Sequence, residues 1–243
     1  MRLLLGLGFG AALVSGLIIT APARLVYDAL APAGIEAGRV QGSVWRGEAL
    51  RVQAGTHVMT HVETALEPLS VLSARPALAM TVTDPDVQLS ARVQSVGDEI
   101  RIEGAEGIVS VSLLPMLQGL PLPSGSIARL DDVTVRLDRQ GRCLSAEGAV
   151  MSPALADAGA RYDVDLPILD MTLYCAGEDL ALNVSGQSPA LALEGMIALE
   201  AATPRYRIVA TPRDPEGGRI LSVLGFRADG AQWIADSEMR EGR

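Results

Sequence analysis

The hydrophobic pattern changes once along the chain, from one unbroken apolar run to a long series of alternating positions. Leu3 to Ala23 holds no charged side chain between Arg2 and Arg24. About 21 residues at roughly 1.5 Å each make a helix of about 31 Å, which matches the ~30 Å hydrocarbon thickness of a bilayer. The run therefore predicts a single transmembrane helix over residues 1–24. Ala21-Pro22-Ala23 also fits the A-x-A site of a cleaved signal peptide. The run is longer than the usual apolar region of such a peptide and reaches that site without a polar stretch, so a retained anchor is the expectation. Arg2 on one flank, and Asp28 and Glu36 soon after Arg24 on the other, place the N-terminus inside and the rest of the chain outside the cytoplasm.

A linker over residues 25–38 follows, in which Pro32 and Gly34 end any helical continuation. Val40 to Val52 is broken by Gly38, Gly42 and Gly47, with Trp45 as its one large side chain. Glycines in a strand pattern mark a bulge or a close backbone approach, so Trp45 is expected to pack between two flexible points. Alternation from Thr56 to Leu66 stops at Pro68, and a helical turn through Leu69 and Leu72 precedes Pro76. Strict period two then runs through Leu78–Val82, Val87–Val93, Ile100–Ile102 and Ile108–Leu114, the signature of half-buried strands. Asp84-Pro85-Asp86 and Gly97-Asp98 separate them with turn chemistry.

Beyond a proline-rich loop with Pro115, Pro121, Pro123 and Gly125, Val133–Leu137 and Leu144–Val150 flank Asp138-Arg139-Gln140-Gly141, a hairpin signal. Ser152 to Gly159 reads as a loop or short helix. The alternation resumes at Met171–Leu173, Leu180–Val184, Leu191–Leu199 and Tyr206–Ile208, punctuated by Gly177-Glu178-Asp179, Gly186 and Pro204. Asp214 to Gly218 reads as a loop leading into a short helix over Ile220–Phe226, then a last strand over Ala231–Ile234 and a charged tail from Asp236. About a dozen strands joined by short turns make an antiparallel meander, and twist forces so long a sheet to curl, close or fold into two layers. The predicted fold class is mainly β: the transmembrane helix, then a curled, half-barrel or groove-like meander over residues 39–243 with one concave apolar face. With no strongly helical run among the strands, doubly wound and barrel α/β enzyme folds are excluded.

Composition narrows the chemistry. A formal net charge of −9, with no basic stripe carrying interleaved aromatics, argues against a nucleic-acid partner. All 20 basic side chains are arginine, which removes Schiff-base, P-loop-lysine and Ser-Lys chemistry at once. Mean hydropathy is +0.27, high enough to suggest apolar surface turned toward a partner or lipid.

Candidate sites are few. Cys143 and Cys175 are the two cysteines, and an even pair in an exported domain predicts a disulfide, with two free buried thiols as the alternative. His57 and His61 would chelate zinc from a helix, but on a strand they stand about 13 Å apart, too far for one ion. Asp163 with Asp165, expected on one strand face, and Asp84 with Asp86 are carboxylate pairs of the kind that hydrolyse glycosides only when a pocket holds them at the right separation. A hydrolase would need a pocket that gathers Asp163, Asp165 and a serine. No G-x-S-x-G elbow or Walker motif occurs, and no catalytic, metal or cofactor residue is assigned. Asn183-x-Ser185 is an incidental sequon. In the apolar run, Gly6 and Gly10, and Ala12 and Gly16, stand four apart. Such spacing admits another helix backbone and an anchor-mediated oligomer, although glycine is also simply frequent in membrane helices.

Gly42-Ser43-Val44-Trp45-Arg46-Gly47 just after the apolar segment resembles a G-x-(aliphatic)-W-x-G stretch of the N component of the type II secretion system, also called general secretion pathway protein N. Cys143 before Gly148, Cys175 before Gly177, and Leu221-Ser222-Val223-Leu224-Gly225-Phe226 followed by Asp229-Gly230 are similar to that family in the same order. The resemblance implies a bitopic inner-membrane accessory subunit with a periplasmic β domain, aiding export of folded proteins without catalysing a reaction or using a cofactor. Its partners would be other inner-membrane secretion components, with Gly42, Trp45 and Gly47 as interaction candidates beside Gly6 and Gly10. The family is also distantly similar to periplasmic curled-sheet proteins of lipid-handling type, an analogy of fold that makes a lipid-binding or lipid-transfer module the rival reading.

Overall fold

The computed structural model describes residues 21–24, 35–54, 57–73, 75–111, 125–199 and 205–237. Most of the expected anchor, with Gly6 and Gly10, lies outside the described residues. Among those described, no helix is long and apolar enough to cross a membrane.

The strands are β1 (Ile35–Ser43), β2 (Arg46–Ala54), β3 (His57–Leu66), β4 (Ala77–Thr83), β5 (Val87–Val96), β6 (Glu99–Ser110), β7 (Ile127–Asp138), β8 (Cys143–Ser152), β9 (Leu169–Ala176), β10 (Asp179–Gln187), β11 (Leu191–Ala198), β12 (Arg205–Pro212), β13 (Arg227–Asp229) and β14 (Gln232–Asp236). Among the described residues three short helices interrupt them: α1 (Pro68–Leu72), α2 (Ala154–Ala160) and α3 (Pro215–Val223). All 14 strands form one sheet in chain order from β1 to β12, followed by β14 and β13. Every pairing is antiparallel and the sheet does not close: among the described strands β1 and β13 are the two outermost. Of the expected outcomes for a long meander, closure and folding into two layers are not what forms: the sheet is one open layer. Register shifts interrupt the β5–β6, β6–β7 and β7–β8 ladders, each a bulge that locally bends and twists the sheet.

The meander gives the sheet two ends. One end carries the β1–β2 turn, α1 between β3 and β4, and the β5–β6, β7–β8 and β9–β10 turns; the other carries α2 and α3. Alternation also gives it two faces. Ala49, Val62, Val82 and Leu89 pair in succession across β2 to β5 on the apolar face. Glu63, Thr81, Ser90 and Glu106 do so on the polar one. The polar face carries Arg92 forked onto Glu67 (2.9 and 3.0 Å) and reaching Glu103 (2.8 Å), and Arg136 on Glu99 (2.8 Å). These half-exposed pairs add little energy individually, but they bind neighbouring strands in one register.

The core is unequal along the sheet. A large cluster joins Ala91 and Val135 to Val150, Met171, Val184, Leu191, Ile197 and Ala210, and includes Leu155 of α2 and Leu221 of α3. A small second cluster, Ala49, Val52, Val62 and Val82, serves β2 to β4. Cys143 and Cys175 are bonded, joining the start of β8 to the end of β9 across a separation of 32 residues, a closure worth roughly 3–4 kcal/mol on the chain-entropy model.

Three local expectations need correction. Pro215–Gly218 belongs to α3 rather than to a loop before it: Asp214 accepts a hydrogen bond from the Gly217 N–H (2.6 Å) and caps a helix that starts at Pro215. Asp163 and Asp165 do not share a strand face; they lie in the connection between α2 and β9, with Asp163 at φ 57°. The stretch Val40–Val52 is a hairpin, β1 turning into β2 at Val44-Trp45.

Candidate functional site

The sequence candidates Gly42, Trp45 and Gly47 form one piece of structure, the tight turn between β1 and β2. Gly42 pairs with Gly47 across it, and Ser43 pairs with Arg46. Gly42 sits at φ 91°, where a side chain would run into the Arg46 carbonyl. Gly47 serves a different need: a Cβ there would lie 2.8 Å from the Ala23 Cβ and 2.9 Å from Thr64 Oγ1. The turn is therefore a seat for residues 21–24. The Val44 N–H donates to the Ala21 carbonyl (2.8 Å), Pro22 bridges Ser43, and Ala23 is buried over Gly47. The Val44 carbonyl in turn accepts from the Leu66 N–H (3.2 Å), so Ala21, Val44 and Leu66 lie side by side at this end of the sheet. Trp45, at the tip, is half-buried. The two points expected to be flexible are a strained-φ turn and a close approach.

Next along this end comes α1. Ser70 is buried and holds the segment together: its hydroxyl donates to the Glu67 carbonyl (2.6 Å) and accepts from the Ala77 N–H (2.8 Å). That fixation turns Leu69 outward at 79% exposure and Val71 at 41%. The helical turn was legible in the sequence, whereas this exposure was not.

At the opposite end, α2 and α3 leave a groove of about 250 Å³ between Tyr162, Val164 and Leu166 on one side and Arg219, Ile220 and Val223 on the other. Tyr162 and Val223 stand open at its rim. A second, more polar hollow of about 600 Å³ gathers Asp165, Asp170, Ser185 and Ser188, but not Asp163. Its two hydroxyls are turned to the backbone, Ser185 donating to the Asp170 carbonyl (3.4 Å) and Ser188 to the Leu191 carbonyl (3.3 Å). The set a hydrolase would need, Asp163 and Asp165 with a serine, is not brought together.

The remaining candidates are structural. Asp84, in the β4–β5 turn, accepts from the Thr60 N–H (2.8 Å) and the Asp86 N–H (3.3 Å). Hydrogen bonds from Thr60, the side chain first and the backbone second, hold its carboxyl below the usual range. His61 stands between Glu48 (Nδ1, 2.9 Å) and Glu63 (Nε2, 3.1 Å), while the side chain of His57 lies outside the described residues. Among the described residues no three His, Cys, Asp or Glu side chains are placed to hold a metal ion.

The described residues thus form an open sheet with exposed apolar side chains at one end and an apolar groove at the other. The chain belongs to the family described as type II secretion system (T2SS), protein N, whose model matches residues 33–235. Membership makes it a component of that secretion machinery, in an accessory role. No curated protein and no solved structure matches the chain.

Proposed function

We propose that the protein is a non-catalytic, single-pass inner-membrane subunit of the type II secretion machinery, holding a periplasmic β domain for contact with other inner-membrane components during export of folded proteins. The observation that carries this reading is the family match across residues 33–235, nearly the whole sheet. Two features support the placement. The uncharged run Leu3–Ala23 has the length of a membrane span, and the Cys143–Cys175 bond suits an oxidising compartment. The small-residue spacing of Gly6 and Gly10 makes the anchor a further contact with a partner helix or a second copy. Affinity purification from native membranes after mild cross-linking tests the proposal: other secretion components should be recovered with the full chain. Their consistent absence, with the bait intact and membrane-bound, would reject it.

A rival reading, a lipid-holding module, draws on one observation. On β3 to β5 the apolar face is only half-buried at Met59, Met80, Val87 and Leu89, and no described helix packs over them. Native mass spectrometry decides this point: a stoichiometric phospholipid retained after detergent exchange favours a lipid carrier, and a bare chain disfavours it.

A further inference from the structure

We propose that the end of the sheet bearing the β1–β2 turn and α1 rests on the membrane, with Leu69, Val71 and Trp45 seated at the lipid interface and Arg46 and Arg75 set against anionic phospholipid headgroups. The inference rests on the reading of Leu3–Ala23 as a bilayer span and adds to it a surface and an orientation. Three observations carry it.

The first is position. The uncharged run ends at Ala23, and its last residues are fastened to the sheet through the Ala21–Val44 hydrogen bond, the Pro22–Ser43 bridge and the burial of Ala23 on Gly47. One further bond, Leu66 N–H to the Val44 carbonyl, leads to the residue two before α1. At a strand spacing of ~4.8 Å, Leu66, two residues before α1, stands about 10 Å from Ala21, near the point where a membrane span would leave the bilayer.

The second is chemistry. Leu69 is 79% exposed, the highest among the described large apolar side chains, and Val71 is exposed beside it. Isolated exposed aliphatics are ordinary; a pair held outward on a pinned helical turn, next to a tryptophan at a turn tip, is the composition of an interfacial contact. The third is charge. Arg46 follows Trp45, Arg75 follows α1, both are exposed, and neither makes an ion pair among the described residues. The acid nearest to Leu69 in the sequence, Glu67, is already held by the two-pronged contact with Arg92. The face toward the membrane is thus cationic, as anionic headgroups require. Since the strands turn relative to one another across the sheet, only the β1–β4 part of this end is presented in this way.

The test uses the full chain in phosphatidylethanolamine–phosphatidylglycerol vesicles, with single labelling cysteines introduced by Leu69→Cys, Ala12→Cys or Asp86→Cys and the native disulfide kept. Asp86 lies in the β4–β5 turn at the opposite end, about 24 Å of strand away. An environment-sensitive fluorophore at each position is challenged with lipids carrying a bromine or spin-label quencher in the acyl chain. Labels at 69 and 12 should lose most of their fluorescence, and the label at 86 should lose little. Quenching at 12 without quenching at 69 overturns the inference and leaves the anchor standing; quenching at 69 without quenching at 12 overturns the anchor and with it the orientation drawn from it, leaving α1 a peripheral lipid contact. Equal quenching at 69 and 86 overturns the orientation. Arg46→Glu with Arg75→Glu should reduce the quenching at 69 in these vesicles, and an unchanged signal removes the arginines from the contact.

Discussion

Gly47 owes its identity to what lies above it. Its φ is ordinary, so its freedom of conformation is not what the position uses; the space is. In Gly47→Ala the new methyl group would meet Ala23 Cβ at 2.8 Å and Thr64 Oγ1 at 2.9 Å, and something must give. Residues 21–24 hold few bonds, so they should yield before β3 does. Overpacking of this kind costs about 1–3 kcal/mol. The expected outcome is a lower urea midpoint with an unchanged slope, together with faster proteolytic cleavage near Arg24; resistance equal to the wild type would show that the seat does not hold the segment. Asp84 offers a prediction in pH. Its carboxyl titrates below its ordinary value because Thr60 and Asp86 donate to it. A group whose pKa is lower folded than unfolded contributes stability above its unfolded pKa and loses it as pH falls through the folded one. Asp84→Asn should therefore destabilise at neutral pH, and its deficit against the wild type should shrink below about pH 4. Denaturation midpoints measured from pH 2 to 7 check the sign: a deficit constant across that range would deny the carboxylate any role.

Each element's legibility followed from how local its cause was. β4, β5, β7 and β10 stand out because one face of each is apolar and turn residues bound them; the cause and the signal lie in the same few residues. α3 misled because two glycines in its first turns suggest a loop, while the capping Asp214, Pro215 and Glu216 argue for a helix start. Packing explains one of those glycines. A Cβ at Gly217 would lie 2.7 Å from the Ala190 carbonyl, so the helix can settle on the β10–β11 turn only with glycine there. β13, three exposed residues long, is too short to show a period. At the candidate site the six-residue stretch Gly42–Gly47 was visibly unusual, but its reason, the seating of Ala21–Arg24, is a contact across twenty residues of chain that no local pattern encodes. For α3 the energetic consequence is direct. Asp214→Ala removes the cap and should cost about 1 kcal/mol, whereas Leu221→Ala, at a side chain 1% exposed, opens a cavity and should cost roughly 2–5 kcal/mol. Thermal or urea unfolding of both variants measures the ratio, and equal losses would mean that α3 is held by its cap rather than by its packing.

The molecule as a whole is a row in which each strand contacts chiefly its two neighbours, so its stability is set locally and need not be uniform. The distribution of core makes it unequal. β8 to β11 share the large apolar cluster with α2 and α3, and the Cys143–Cys175 bond fastens β8 to β9. β1 to β4 share a cluster of four buried side chains, three of them valines, and β1 is the outermost of the described strands on that side. Opening β1 to β4 together exposes that small cluster and takes only Met80 from the side chains packed on the large one, so it should cost less free energy than global unfolding. Hydrogen exchange followed at rising sub-denaturing urea should show two classes: amides of β8–β11 exchanging only with global unfolding, and those of β1–β4 exchanging through a smaller, partial opening. Reduction of the disulfide should lower the first class while leaving the second nearly unchanged, because the bond lies wholly within the stable half. A single protection class across the sheet, shifted as one on reduction, would show instead that the open row transmits its stability from edge to edge. In that case the β1–β2 seat for residues 21–24 would be as rigid as the core.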